Sequence, residues 1–187
     1  MEGLNLFESN ILLWIQENLR IDVLDSLMPL VSAVNNAGML SILVVILLLL
    51  LRRYRPVGVT AFFSLAIEYL LVNLTIKNVV ARIRPYIVNE NLLLLGHMPH
   101  DYSFPSGHSG AAFAVAVVLF LCGKDGAIPN KCGVFALVAA FLIALSRLYN
   151  AAHYPTDVLV GILIGTVTSL FAYKYVYVRW FKRKLGD

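Results

Sequence analysis

Five apolar runs, each long enough to cross a bilayer, confine this chain to one kind of fold. They lie at about 36–51, 57–76, 105–122, 132–149 and 156–178, and each is bounded by charge, Pro or Gly. A helix needs roughly 20 apolar residues to span the hydrocarbon core. The composition agrees: 59% of residues are hydrophobic and only 14% charged, with a mean hydropathy of +0.78, where a soluble domain carries about a quarter charged residues. At 187 residues there is room for one domain, so the expected architecture is an all-α integral membrane protein, a compact bundle of five transmembrane helices.

Residues 1–35 read differently from the 36–178 core. Glu8, Glu17, Arg20, Asp22 and Asp25 interrupt them too often for a good span, while Leu6, Ile11, Leu12, Trp14, Ile15 and Leu19 recur at helical spacing. That pattern predicts an amphipathic helix in the interface, followed by a short second helix at about 22–34; a sixth span over 21–35 is the alternative. A cleavable signal peptide is not expected, because the start is acidic and has no basic n-region.

Orientation follows from lysine and arginine, which accumulate in short cytoplasmic loops. Arg52, Arg53 and Arg55 follow the first run, Lys124 and Lys131 separate the third and fourth, and Arg179, Lys182, Arg183 and Lys184 lie in the tail at 179–187. All fall on one side, so the protein is expected in the plasma membrane with segments 77–104 and 147–155 outside. Anionic lipid then accounts for the net charge of +4, with no need for nucleic acid. Cys122 and Cys132 flank an inner loop, where a reducing cytosol disfavours a disulfide.

The remaining basic and titratable residues sit at outer ends of the runs, in KNVVARIRPY (77–86), YSFPSGHSG (102–110) and SRLYNAAHYPTD (146–157). If the helices converge, Lys77, Arg84 and Arg147 come together, which requires an anion between them. Pro105 suits a first helical turn, so Ser106 and Gly107 would offer hydroxyl and backbone donors at a helix N-terminus, a natural phosphate seat. His108 lies in the same turn. Asp157 follows His153 within reach of a ring nitrogen, fixing a tautomer and leaving the other nitrogen nucleophilic. The pattern predicts attack on phosphorus by His153, protonation of the leaving oxygen by His108, and charge dispersal by Lys77, Arg84 and Arg147.

These elements, lysine–six residues–Arg-Pro, Pro-Ser-Gly-His, and Ser-Arg–five residues–His–three residues–Asp, resemble the signature of the type 2 phosphatidic acid phosphatase superfamily, which shares its core with vanadium-dependent haloperoxidases. The resemblance covers residues 77–157 with no signature position departing. It implies a haloperoxidase-like helical core and metal-independent phosphatase chemistry through a phosphohistidine, with no cofactor. It assigns phosphate binding to Lys77, Arg84, Ser106, Gly107 and Arg147, acid catalysis to His108, nucleophilic attack to His153 and its orientation to Asp157.

A pocket at the outer ends of membrane helices is reached sideways by an amphiphile, so a membrane lipid phosphate is the expected substrate. The small size and outward site resemble bacterial undecaprenyl pyrophosphate phosphatases of this superfamily, a resemblance that implies undecaprenyl pyrophosphate, with phosphatidylglycerol phosphate, phosphatidic acid and diacylglycerol pyrophosphate as rivals; a non-catalytic lipid-phosphate binder or transporter is the reading from another class. Arg82 lies outside the signature, as an anchor or a secondary phosphate contact. His97, His100 and Asp101 could be read as a metal cluster, but a lid beside the lipid entrance, with Leu92–Leu95 in the interface, fits better. Tyr86, Tyr102, Tyr149 and Tyr154 form an outer aromatic belt. Glu68 falls about 13 Å below Lys77 at helical rise, and an acid at that depth must be protonated or paired.

Overall fold

The computed structural model describes residues 2–182, and among them all regular structure is helical. Arg183 and Lys184 of the basic tail lie outside the described residues. The helices are α1 (Glu2–Leu19), α2 (Asp22–Ala33), α3 (Met39–Leu50), α4 (Arg55–Tyr69), α5 (Lys77–Val80), α6 (Pro85–Val88), α7 (Gly107–Lys124), α8 (Asn130–Tyr149) and α9 (Pro155–Ala172). Five stretches are long and apolar enough to cross a membrane: Asp22–Leu50, Arg52–Val88, Gly107–Lys124, Asn130–Tyr149 and Pro155–Lys182.

α7 is the axis, packed by α8, α9 and α4, with α3 against α4 and α2 against α8. Its interior is built from small and hydroxylated side chains: Ala114, Ser64, Thr168 and Ser169 are fully or almost fully buried, whereas Leu50, Phe135 and Leu163 point outward. Large apolar groups gain nothing by packing inward when the surroundings are lipid tails, so close backbone approach and interhelical hydrogen bonds hold such bundles. α9 approaches α7 through Gly161 and Gly165: a Cβ on Gly165 would stand 2.3 Å from the Gly110 carbonyl oxygen, and one on Gly161 2.5 Å from that of Ser106. Ser64 bridges α4 to α9 through Thr168 and Ser169 at 3.3 and 3.2 Å.

The basic loops share one end. Lys182 pairs with Asp125 at 2.8 Å, and Tyr54, Val57, Ile128 and Tyr177 pack in one cluster there. Cys122 is buried and Cys132 exposed, and both are free thiols.

The first span differs from the 36–51 run. α2 continues into α3 through a one-turn break at Asn36–Gly38, where Ala37 (φ 49°) and Gly38 (φ 72°) are left-handed. Residues 22–34 thus form the upper part of the first candidate span, which joins them to the apolar run. α1 also differs from a plain interfacial helix. Leu12 is buried with Leu92, Ala151 and Tyr154, and Glu8, read in the sequence as a polar interruption, is only 2% exposed. Ion pairing described below explains that inversion.

Candidate active site

The end opposite the basic loops gathers every predicted site residue. Lys77 ends a π-wound stretch, Leu70–Ile76, that continues α4. Nine residues at about 100° each would turn Lys77 half a circle away from Glu68; the wider π turns advance less per residue, and both side chains line one cavity. Ala81 then adopts φ 47° and reverses the chain, a conformation an L-residue holds only when its surroundings impose it. Arg82 and Arg84 follow from this turn. Arg147 ends α8, Asp157 lies in the first turn of α9, and His153 occupies the turn between them.

His153 is fully buried. Its Nδ1 lies 2.7 Å from the Ser103 carbonyl oxygen, which can only accept, so Nδ1 carries the proton. Its Nε2 lies 3.2 Å from Arg84 Nη1, which can only donate. Both contacts select the tautomer with a lone pair on Nε2. Burial, reinforced by the charges of Arg84, Arg147 and Lys77, holds the ring well below its ordinary value of 6.5, with the Ser103 bond partly opposing. A neutral, oriented imidazole is what nucleophilic attack requires.

Asp157 stands differently from the expected direct partner. Its Oδ2 is 3.6 Å from His153 Nδ1, too long for a hydrogen bond. It accepts instead from Ser103 Oγ at 2.5 Å and the Tyr154 amide at 2.9 Å. The carboxylate thus contacts His153 only through Ser103, whose carbonyl accepts the hydrogen bond from Nδ1–H.

Lys77 and Arg147 border one cavity, and Arg84 is joined to Lys77 through Asp101. Arg84 donates to the Ala152 carbonyl at 2.7 Å and, through Nη2, to Asp101 Oδ1 at 2.6 Å; Lys77 holds Asp101 Oδ2. Asp101 thus bridges Lys77 and Arg84 as a phosphate oxygen pair would. Burial alone would raise its carboxyl, but the two cations outweigh that and hold it well below the usual carboxylate range. Arg147 is 4% exposed and donates to Ser32 through Nη1, while its Nε and Nη2 have no partner among the described residues. Buried guanidinium donors in this state call for an anion.

α7 begins at Gly107, two residues after the expected start, with Ser106 extended as its N-cap. The Ser106 hydroxyl accepts from the Ser109 amide at 3.4 Å and contacts Ser109 Oγ at 3.0 Å, and its own amide donates to the Asp157 carbonyl at 2.9 Å. Ser106 thus caps the helix and docks α9. The amides of Gly107 and His108 remain as first-turn donors. A Cβ on Gly107 would stand 3.0 Å from Asn73 Oδ1, close enough that the Asn73 side chain would have to shift. His108 Nε2 is 3.0 Å from Asn36 Oδ1 and its carbonyl accepts from Asn35 at 3.2 Å, so the break between α2 and α3 seats the second histidine.

A cavity of about 1020 Å³ extends from Lys77, His108 and Arg147 down an apolar wall formed by Ile42, Ile46 and Phe62. Glu68 borders it, 1% exposed with both oxygens unpartnered among the described residues. The outer segment is tied across the top: Leu92 is buried, Leu93 is exposed and accepts from Arg20 at 2.6 Å, and the Leu95 amide donates to Asn150. His97 and His100 lie edge to face with ring centroids 6.4 Å apart, while Asp101 turns away to the cations, so this trio is not gathered as metal ligands. Of the further residues in contact with the site, Ser103 lies inside the second motif, Asp101 just before it reads only with His97 and His100, and Asn36 carries no sequence signal.

Residues 57–181 match the model of the PAP2 superfamily. The chain is 34% identical over 126 residues to an undecaprenyl-diphosphatase of Sulfolobus acidocaldarius, covering 67% of this chain and 58% of that protein; it thus spans under two thirds of that relative's length. Among solved structures it is similar to Aquifex aeolicus LpxE, with 27% identity, a TM-score of 0.72 and coverage of 89% of this chain and 94% of that one. It shares its fold with a transmembrane PAP2-type phosphatidylglycerolphosphate phosphatase from Bacillus subtilis, at 22% identity, a TM-score of 0.74 and coverage of 94% and 87%.

Proposed function

The chain belongs to the PAP2 superfamily, and from that premise we propose that it is a metal-independent phosphatase of a membrane lipid, acting on the terminal phosphate of undecaprenyl pyrophosphate at the outer face of the plasma membrane. The observation that carries the reading is the state of His153: Nδ1 commits its proton to Ser103, and Nε2 keeps its lone pair beside Arg84. A binder has no need of such a nucleophile.

In the proposed reaction His153 Nε2 attacks phosphorus as the bond to the lipid-side oxygen breaks, giving a phosphohistidine. His108 supplies a proton to the departing oxygen and then takes one from water, which attacks the phosphohistidine and frees inorganic phosphate and neutral His153. Lys77, Arg84, Arg147 and the first-turn amides of α7 hold the equatorial oxygens as charge develops. For phosphate to sit between Lys77 and Arg84, Asp101 must give way. The apolar wall below the cations favours an amphiphile, and the similarity to an undecaprenyl-diphosphatase favours a polyprenyl diphosphate.

Phosphate release from undecaprenyl pyrophosphate, phosphatidylglycerol phosphate, phosphatidic acid and diacylglycerol pyrophosphate, each with and without a chelator, tests this directly. Turnover fastest on the first and indifferent to chelation is expected, and His153→Ala should abolish it while leaving the folded protein intact. Absence of release from all four lipids would remove the enzyme reading.

A further inference from the structure

Behind Asp157 lies a buried ion network that the phosphatase signature does not include. Arg82 donates from Nη1 to Asp157 Oδ1 at 2.6 Å and to Thr156 Oγ1 at 2.8 Å. Its Nη2 donates to Glu8 Oε2 at 2.5 Å and to Asn5 Oδ1 at 2.6 Å, and its Nε to the same Asn5 oxygen at 3.1 Å. All five guanidinium N–H groups are engaged by this fork, with its carbon 3.8 Å from the centre of the Tyr154 ring. Glu8 accepts in addition from the Thr156 amide at 2.6 Å and its hydroxyl at 3.0 Å. Glu8, Arg82 and Asp157 are 2%, 7% and 0% exposed.

The chain of contacts ends on the nucleophile. Arg82 pins one oxygen of Asp157, the other receives Ser103 Oγ, and the Ser103 carbonyl takes the His153 ring proton. Arg82 holds Ser103 a second time, since its own carbonyl accepts the Ser103 amide at 2.8 Å. Charge balance explains the part played by α1. Arg82 alone would cancel Asp157; with Glu8 present, two carboxylates face one guanidinium, and the network keeps one net negative charge beside a ring that becomes cationic as it takes up phosphorus. Removing a single member of a buried set leaves an uncompensated charge, which Asp157 would answer by changing partner or protonation.

We propose that Arg82 and Glu8 are positioning residues for His153, and that α1 is thereby a working part of the catalytic apparatus. Arg82 does not touch phosphate. The kinetic half of this proposal rests on the phosphatase reading; the orientation half does not.

The test uses the full chain in detergent, comparing wild type with Glu8→Gln, Arg82→Lys and the double variant. Two readouts are taken: kcat and KM on a short-chain lipid phosphate, and ¹⁵N-histidine NMR, in which His153→Gln assigns the His153 signal. Wild-type His153 is expected as the Nδ1–H tautomer. Each single variant should mix the tautomers and lower kcat roughly 10- to 100-fold, the range known for loss of the outer partners that orient a metal-bound histidine, with KM within about twofold. The double variant should lose less than the product of the singles, because both act through one carboxylate. Loss of thermal stability with tautomer and kcat unmoved would overturn the proposal. So would a raised KM at constant kcat, which would make Arg82 a phosphate contact. Should wild type turn over none of the lipids tested, the phosphatase reading falls and the tautomer alone decides the network.

Discussion

A buried histidine surrounded by cations stays neutral to lower pH than a free one, and for a nucleophile this has a definite sign. In the proposed mechanism, protonation of His153 would block attack; because burial and then Arg84, Arg147 and Lys77 lower its affinity for protons, the neutral form extends to more acidic solution. The acid limb of kcat/KM belonging to this group is therefore expected well below pH 6.5, and Arg147→Gln should move it up toward the ordinary histidine value while lowering kcat/KM. A limb that stays in place in that variant would sever the link between these cations and the ring. Lys77, Arg84, His108, Arg147, His153 and Asp157 were all legible in the sequence, because charge that deep in apolar surroundings has to be accounted for by chemistry. Their partners were not. Asp101 reads only as a loop acid beside His97 and His100 and Glu8 as a polar interruption of the N-terminal helix, and only closure of the fold brings the first between two cations and the second against Arg82.

At the level of elements, contact between α7 and α9 fixes the site more than any loop does, since the two helices carry His108 and Asp157 in their first turns and Ser106 joins them by a backbone hydrogen bond. Gly161 and Gly165 make that contact possible. Gly165→Ala is expected to force the helices apart, because its Cβ would meet backbone rather than a side chain that could yield, at a cost of roughly 1–3 kcal/mol. Thermal unfolding in detergent should show the loss, with Gly3→Ala, whose Cβ would meet nothing within 4 Å, as the neutral control. Equal midpoints for the two variants would contradict the packing argument. The first span begins at Asp22 rather than near residue 36, whereas the third and fourth spans of the bundle followed from the hydropathy runs to within a few residues. The break at Asn36–Gly38 and the π winding at Leu70–Ile76 did not, because both are local departures that pay off only through what they bring into place, His108 in one case and Lys77 in the other.

Over the whole molecule, one cavity joins the cations to an apolar wall between α3 and α4, so a single ligand can be polar at one end and oily along the rest. Ile46→Trp would fill that wall without touching the cations. It is expected to raise KM several-fold for a long-chain lipid phosphate and leave hydrolysis of a water-soluble phosphate ester unchanged; equal effects on both would show that the tail does not lie there. By itself the sequence determined that the chain is a bundle of membrane helices, since long apolar runs can satisfy their backbones in lipid only by coiling. It also put the three motifs at outer helix ends, where convergence of their cations would call for an anion. The tertiary structure decided what the sequence left open: that α1 carries a carboxylate into the core, that Ser103 stands between Asp157 and His153, and that Asp101 occupies the cation pair. Each of these joins residues far apart along the chain, and hydropathy or motif spacing, which reports only on neighbours in sequence, carries no record of such pairings.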